Sequence, residues 1–102
     1  MAQWDEHTLT LDPIKAKVKP PKRYKVVLIN DDFTPMDFVV EVLMRFFQID
    51  GDRAQQIMMT VHTQGKATCG VYAREVAEMK VMQVKNYARA HQHPLECDWE
   101  VA

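Results

Sequence analysis

The chain has 102 residues, 47% hydrophobic and 26% charged, which leaves room for one ordinary domain and excludes wholesale disorder. A net charge of -1 gives nucleic acid no electrostatic reason to bind, because phosphate neutralisation needs clustered Lys and Arg. The opening Met1-Ala2-Gln3-Trp4-Asp5-Glu6 has no cationic start and no apolar core, and no later apolar run approaches the roughly 20 residues of a bilayer span, so a cytoplasmic protein with no membrane partner is expected.

Residues 1–25 carry six basic and three acidic groups (+3), which leaves seven basic and eleven acidic (-4) for the remainder. Residues 1–22 contain Pro13, Pro20 and Pro21, alternate Lys15, Lys17 and Lys19 with small or apolar residues and sustain no regular period. They read as a flexible tail, followed by one domain over 23–102. Tyr24-Lys25-Val26-Val27-Leu28-Ile29 is β-branched and nearly continuous in its apolarity, a buried strand that stops at Asn30-Asp31-Asp32.

Thr34-Pro35-Met36-Asp37 predicts a hydroxyl N-cap, a proline at the first helical position and a carboxylate in the first turn, opening a helix from about Pro35 to Phe47. Its stripe Met36, Val39, Val40, Leu43 and Phe47 is expected to face the core, widened by Phe38, Val42 and Phe46. Asp50-Gly51-Asp52 breaks the pattern, which Ala54, Ile57, Met58 and Val61 resume as a second helix to about His62, with Gly65 as its stop. Lys66 to Tyr72 reads as a strand that Gly70 weakens. Arg74 to Ala90 reads as a third helix through Val76, Ala77, Val81, Val84 and Ala88. Leu95, Cys97, Trp99 and Val101 alternate with Glu96, Asp98 and Glu100 as a strand with one wet face.

The order β-α-α-β-α-β in so short a chain implies an α+β fold of two layers, with three helices on one face of a small three-stranded sheet. Cys69 and Cys97 fall in strands and are expected to be reduced and to pack as small apolar residues. His91, His93 and Cys97 match no closed zinc spacing, and Cys69 has no identifiable activating charge, so neither a metal, a cofactor nor catalysis is expected.

Leu-Ile-Asn-Asp-Asp-Phe-Thr-Pro-Met-Asp-Phe-Val at 28–39, Val-His-Thr-Gln-Gly-Lys-Ala at 61–67, Cys-Gly-Val-Tyr at 69–72, Glu-Val-Ala-Glu-Met-Lys-Val at 75–81 and His-Pro-Leu at 93–95 together resemble the ClpS family of bacterial protease adaptors. The resemblance covers about residues 20–100 and rests on the order and spacing of these blocks. It implies an antiparallel sheet and a monomeric, non-enzymatic adaptor for N-degrons, proteins that begin with Leu, Phe, Tyr or Trp. Substrates would be delivered to the ClpA unfoldase of the ClpAP protease. The resemblance implies that Asn30, Asp31 and His62 hold the substrate's α-amino group. Asp32, Thr34, Met36, Val39, Met58, Val61 and Leu95 would form the side-chain pocket, and Glu75 and Lys80 would contact the N-terminal domain of ClpA. Thr63 departs from the aromatic residue frequent at its position.

The residue types suit that chemistry. An α-amino group, with a reference pKa of about 7.7 to 8, is mostly a cation with three donors and no acceptor. A side-chain carbonyl, a carboxylate and an imidazole nitrogen can accept from it, and an internal peptide N–H cannot satisfy all three. Each feature also has a plainer reading: Asn-Asp-Asp as a turn, Met58 and Val61 as core, His62 as a helix C-terminal partner, and Glu75 and Lys80 as solvated charges. The alternative functions are a general interaction module of ribosomal-stalk-like fold and a small thiol or metal enzyme.

Overall fold

The strand Tyr24–Ile29 (β1) is the middle member of an antiparallel sheet in the order β2-β1-β3, in a computed structural model that describes residues 20–102. The tail expected over 1–22 lies, as far as residue 19, outside the described residues. β2 is Lys66–Tyr72 and β3 is Glu96–Val101. The registers run from Tyr24 opposite Tyr72 to Ile29 opposite Lys66, and from Tyr24 opposite Val101 to Ile29 opposite Glu96. A central strand needs apolar residues on both faces, and Val26, Val27 and Leu28 are all buried.

The β1–β2 register shifts between Val26 and Val27, so that Cys69 is the extra residue of a bulge. The strand runs through Gly70 beside it. The Tyr72 ring lies over it, and a Cβ there would clash with Tyr72 Oη, so glycine is what lets the ring close down on the sheet.

Three helices cover one face: Met36–Phe47 (α1), Gly51–Gln64 (α2) and Arg74–Ala90 (α3). α1 begins one residue later than the sequence pattern implies. Pro35, in extended conformation, is its N-cap, and no side chain caps it, so Thr34 is not the hydroxyl cap. The physical reason lies upstream, where the Asp31 carboxylate has already taken the Thr34 N–H and drawn that residue into the preceding turn. The buried stripe of α1 is Phe38, Val39, Val42, Leu43 and Phe47. Met36 is 44% exposed and does not face the core; Phe38 is buried instead, within 4.4 to 5.6 Å of the rings of Tyr87, His91 and His93 at the end of α3.

α2 runs two residues beyond His62. Asp50 caps its start by accepting the Arg53 N–H at 2.9 Å, and Gly65 ends it in the left-handed region at φ 93°, its N–H donating to Val61 O. That conformation is open to glycine at little cost and to L side chains at about 1 to 2 kcal/mol. On α3, Ala77, Val81, Val84 and Ala88 are buried as expected, whereas Val76 is exposed.

The core joins Val26 and Leu28 of β1 to the buried faces of all three helices, with Cys69, Leu95 and Cys97. Both cysteines are free, and burial pushes their thiols up to about 12. They are therefore protonated near neutral pH and pack as apolar groups.

Candidate functional site

Two segments distant in sequence meet where β1 ends. The Asn30 N–H donates to Gly65 O at 2.9 Å, fastening the Asn30-Asp31-Asp32 turn to the C-terminus of α2. Gly65 can make that bond because its left-handed conformation turns the chain back out of the helix. Asp31 builds the next turn: one carboxylate oxygen, Oδ2, accepts from the N–H groups of Phe33 and Thr34, each at 2.9 Å. This is the local backbone-bonding role that such a sequence has by default. It leaves Oδ1 without a hydrogen-bond partner among the described residues and holds it in place.

Burial pushes the Asp31 carboxyl up. The adjacent Thr34 hydroxyl, then the N–H groups of Phe33 and Thr34, then His93 outweigh it, and the pKa falls below the usual value of 3.8. A folded-state pKa below the unfolded one stabilises the fold above about 3.8 and loses that contribution as pH falls through the folded value. The thermal-stability advantage of the native chain over Asp31→Asn is therefore expected to shrink between about pH 5 and pH 2.5. A pH-independent difference between the two melting temperatures would contradict this. The hydroxyl oxygen of Thr34 is itself buried and meets no partner in hydrogen-bonding geometry, so it acts on Asp31 by nearness alone.

Between the turn and α2 lies a cavity of about 340 Å³. Its floor is Val39 from α1 with Met58 and Val61 from α2, all buried. Asn30, Asp31, Asp32 and His62 form its polar rim, and Phe33, Thr34, Pro35 and Met36 its remaining wall. Helical spacing explains the arrangement on α2, where Met58, Val61 and His62 at i, i+3 and i+4 share one side, two inward and the imidazole outward. Two carboxylates lie on the rim and no Lys or Arg is among the lining residues. The C-terminal end of α2 adds a partial negative charge of about half an electron, so a cation is favoured there.

Ten of the twelve residues named from the sequence can thus be located simply. Asn30, Asp31 and His62 come together on the rim; Asp32, Thr34, Met36, Val39, Met58 and Val61 line the same cavity; and Glu75 is exposed on α3. Leu95 is only 1% exposed and lies outside the lining, in the apolar cluster that includes Val39, Met58 and Val61. Lys80 is not a free surface charge: its Nζ donates to Phe46 O at 2.6 Å, satisfying a carbonyl in the last turn of α1, and lies 5.7 Å from the Tyr72 ring. The sequence reading passed over Phe33 and Pro35, which line the wall, His93, which acts on Asp31, and Gly65, whose carbonyl holds Asn30. For Phe33 and Pro35 the signal was mere adjacency to Asp32, Thr34 and Met36. For Gly65 it was the helix-stop pattern itself.

Residues 19–98 match the family model described as ATP-dependent Clp protease adaptor protein ClpS. The chain is 68% identical over 93 residues to an ATP-dependent Clp protease adapter protein ClpS from Hydrogenovibrio crunogenus, covering 91% of this chain and 89% of that one. It is 55% identical over 98 residues to the protein of the same name from Escherichia fergusonii, with 96% and 92% covered. Among solved structures it resembles Agrobacterium tumefaciens ClpS2 bound to L-phenylalaninamide, with a TM-score of 0.79 and 37% identity over 81% of this chain and all of that one.

Proposed function

The chain belongs to the ClpS family, adaptor proteins of the ATP-dependent Clp protease and not enzymes, and from that premise we propose that it captures proteins by their first residue. In this reading the substrate's cationic α-amino group sits on the rim. It donates to the Asn30 side-chain carbonyl, to Asp31 Oδ1 and to a His62 ring nitrogen. The first side chain, Leu, Phe, Tyr or Trp, enters the cavity over Val39, Met58 and Val61, with Asp32, Thr34 and Met36 around the mouth. Leu95 backs that wall from within the core.

One observation carries the reading: an apolar-floored cavity of about 340 Å³ whose rim holds two carboxylates and whose lining includes no Lys or Arg. A large apolar group and a cation joined by one carbon satisfy both parts together. L-phenylalaninamide, bound by the Agrobacterium relative, has that structure, a free amine beside a benzyl group. Burying such a side chain contributes roughly 1.5 to 3 kcal/mol and each charge-assisted hydrogen bond about the same, which after ordering costs corresponds to micromolar binding or tighter.

The adaptor works as a cytoplasmic monomer that carries its cargo to a Clp unfoldase, the N-terminal domain of ClpA in this reading. Exposed Glu75, with the exposed Val76 and Met79 near it on α3, provides the docking face. Lys80 contributes by tying α3 to the end of α1, besides any contact it makes with the partner. Reconstituted ClpAP is expected to degrade a reporter beginning with Phe faster when the chain is present, and the same reporter beginning with Gly no faster. Equal rates with and without the chain would overturn the delivery role.

A further inference from the structure

Six methionines fall among the described residues, and two of them line the cavity. Met58 is buried in its floor, whereas Met36 stands exposed at its mouth, on the first turn of α1. Met44, Met59, Met79 and Met82 are also exposed but lie outside the lining. A thioether reacts with peroxides where its sulfur can be reached, and burial shields it. Cys69 and Cys97, the other sulfur groups, are buried and protonated, so they do not compete for such an oxidant.

Resting on the reading that this cavity takes a substrate's first side chain, we propose that Met36 is an oxidation site through which hydroperoxides turn off capture by the empty adaptor. The sulfur lone pair attacks one oxygen of the O–O bond. An S–O bond forms as O–O breaks, sulfur gives up two electrons, and the departing oxygen takes the hydroperoxide proton and leaves as water or an alcohol. The product is a sulfoxide, polar and chiral where the thioether was apolar and pliant. Two thiols reverse the step, ending as a disulfide while the oxygen departs as water.

The new oxygen is a strong acceptor in a poor place for one. The rim carboxylates of Asp31 and Asp32 are acceptors themselves, no Lys or Arg lines the cavity, and the floor of Val39, Met58 and Val61 offers no donor. The Asn30 amide and the His62 ring serve the α-amine in this reading, and the Thr34 hydroxyl oxygen is buried beside Asp31. An entering apolar side chain must therefore strip water from the sulfoxide without replacing its hydrogen bonds, which costs on the order of tenfold in affinity. Occupancy works the other way. A bound first side chain covers the mouth, so the loaded adaptor is shielded and the empty one is open to the oxidant.

The test treats the full chain with hydrogen peroxide, reads sulfoxide at each methionine by peptide mass mapping, and measures binding of a Phe-initiated peptide by calorimetric titration. Once Met36 is converted, affinity is expected to fall at least about tenfold and to return after treatment with methionine sulfoxide reductases and a dithiol. Met36→Leu, treated until Met44, Met59, Met79 and Met82 are oxidised, is expected to keep the affinity of its own untreated form. Untreated Met36→Gln, with a polar amide in place of the sulfoxide, is expected to bind as weakly as the oxidised chain. Saturating peptide should slow conversion of Met36 and leave that of Met79 and Met82 unchanged. Full affinity with Met36 converted overturns the proposal, as does an equal loss in Met36→Leu or conversion of Met36 no faster than that of buried Met58. An untreated chain that fails to bind the peptide overturns the reading of the cavity itself, and the proposal with it.

Discussion

Asp31→Ala is expected to weaken binding of every peptide with a free N-terminus by about 1.5 to 3 kcal/mol, roughly 10- to 150-fold, whatever its first side chain. The carboxylate does two things at once. Oδ2 ties down the N–H groups of Phe33 and Thr34, and Oδ1 is left held at the rim for the amine. Asp31→Asn separates these roles, because its side-chain carbonyl still accepts the two N–H bonds while the charge is gone. It should therefore leave the fold intact and still lose most of the affinity. Calorimetric titration with peptides beginning with Leu, Phe, Tyr and Trp reads both variants, and a loss confined to one of these peptides would contradict the assignment.

Met36→Ala is expected to do the opposite: reorder the peptides rather than weaken them uniformly. Met36 is 44% exposed at the first turn of α1, so truncating it leaves the core intact and opens the mouth of the cavity. Its thioether can follow the shape of whatever side chain enters, and an alanine cannot. The ratio of affinities between two first residues of different shape should change by about tenfold, equivalent to about 1.4 kcal/mol, while the dependence on the amine stays as it was. A uniform loss across the panel would place Met36 outside the recognition of the first side chain.

All six elements were legible from periodicity and turn chemistry, because burial on one face fixes the period and the breaks fall at Asn30-Asp31-Asp32, Asp50-Gly51-Asp52 and Gly65. The errors came where a competing local bond or a distant element decides. Thr34 looked like a helix cap, but Asp31 claimed its N–H first and moved the helix start by one residue. Met36 fitted the apolar stripe by spacing, yet aromatic residues at the end of α3 cover Phe38 and leave Met36 at the surface. Lys80 read as a solvated charge because nothing in a helical pattern tells that the end of another helix lies beside it.

The site itself was legible only in part. Spacing along α2 put Met58, Val61 and His62 on one side, and the strand end marked the Asn30 turn, but no local rule says that these two places touch. What joins them is one hydrogen bond, Asn30 N–H to Gly65 O, between residues 35 apart in sequence. The resemblance to ClpS proteins bridged that gap at the sequence level, and it also brought in Leu95, which lies behind the wall rather than in it.

The central claim is that the rim reads a free, positively charged α-amine. Titration with a Phe-initiated peptide and with the same peptide Nα-acetylated measures this most directly, since acetylation removes the charge and two of the three donors and leaves the benzyl group unchanged. The free peptide is expected to bind in the micromolar range or tighter and the acetylated one at least about 100-fold more weakly. Equal affinity for the two peptides would contradict the account.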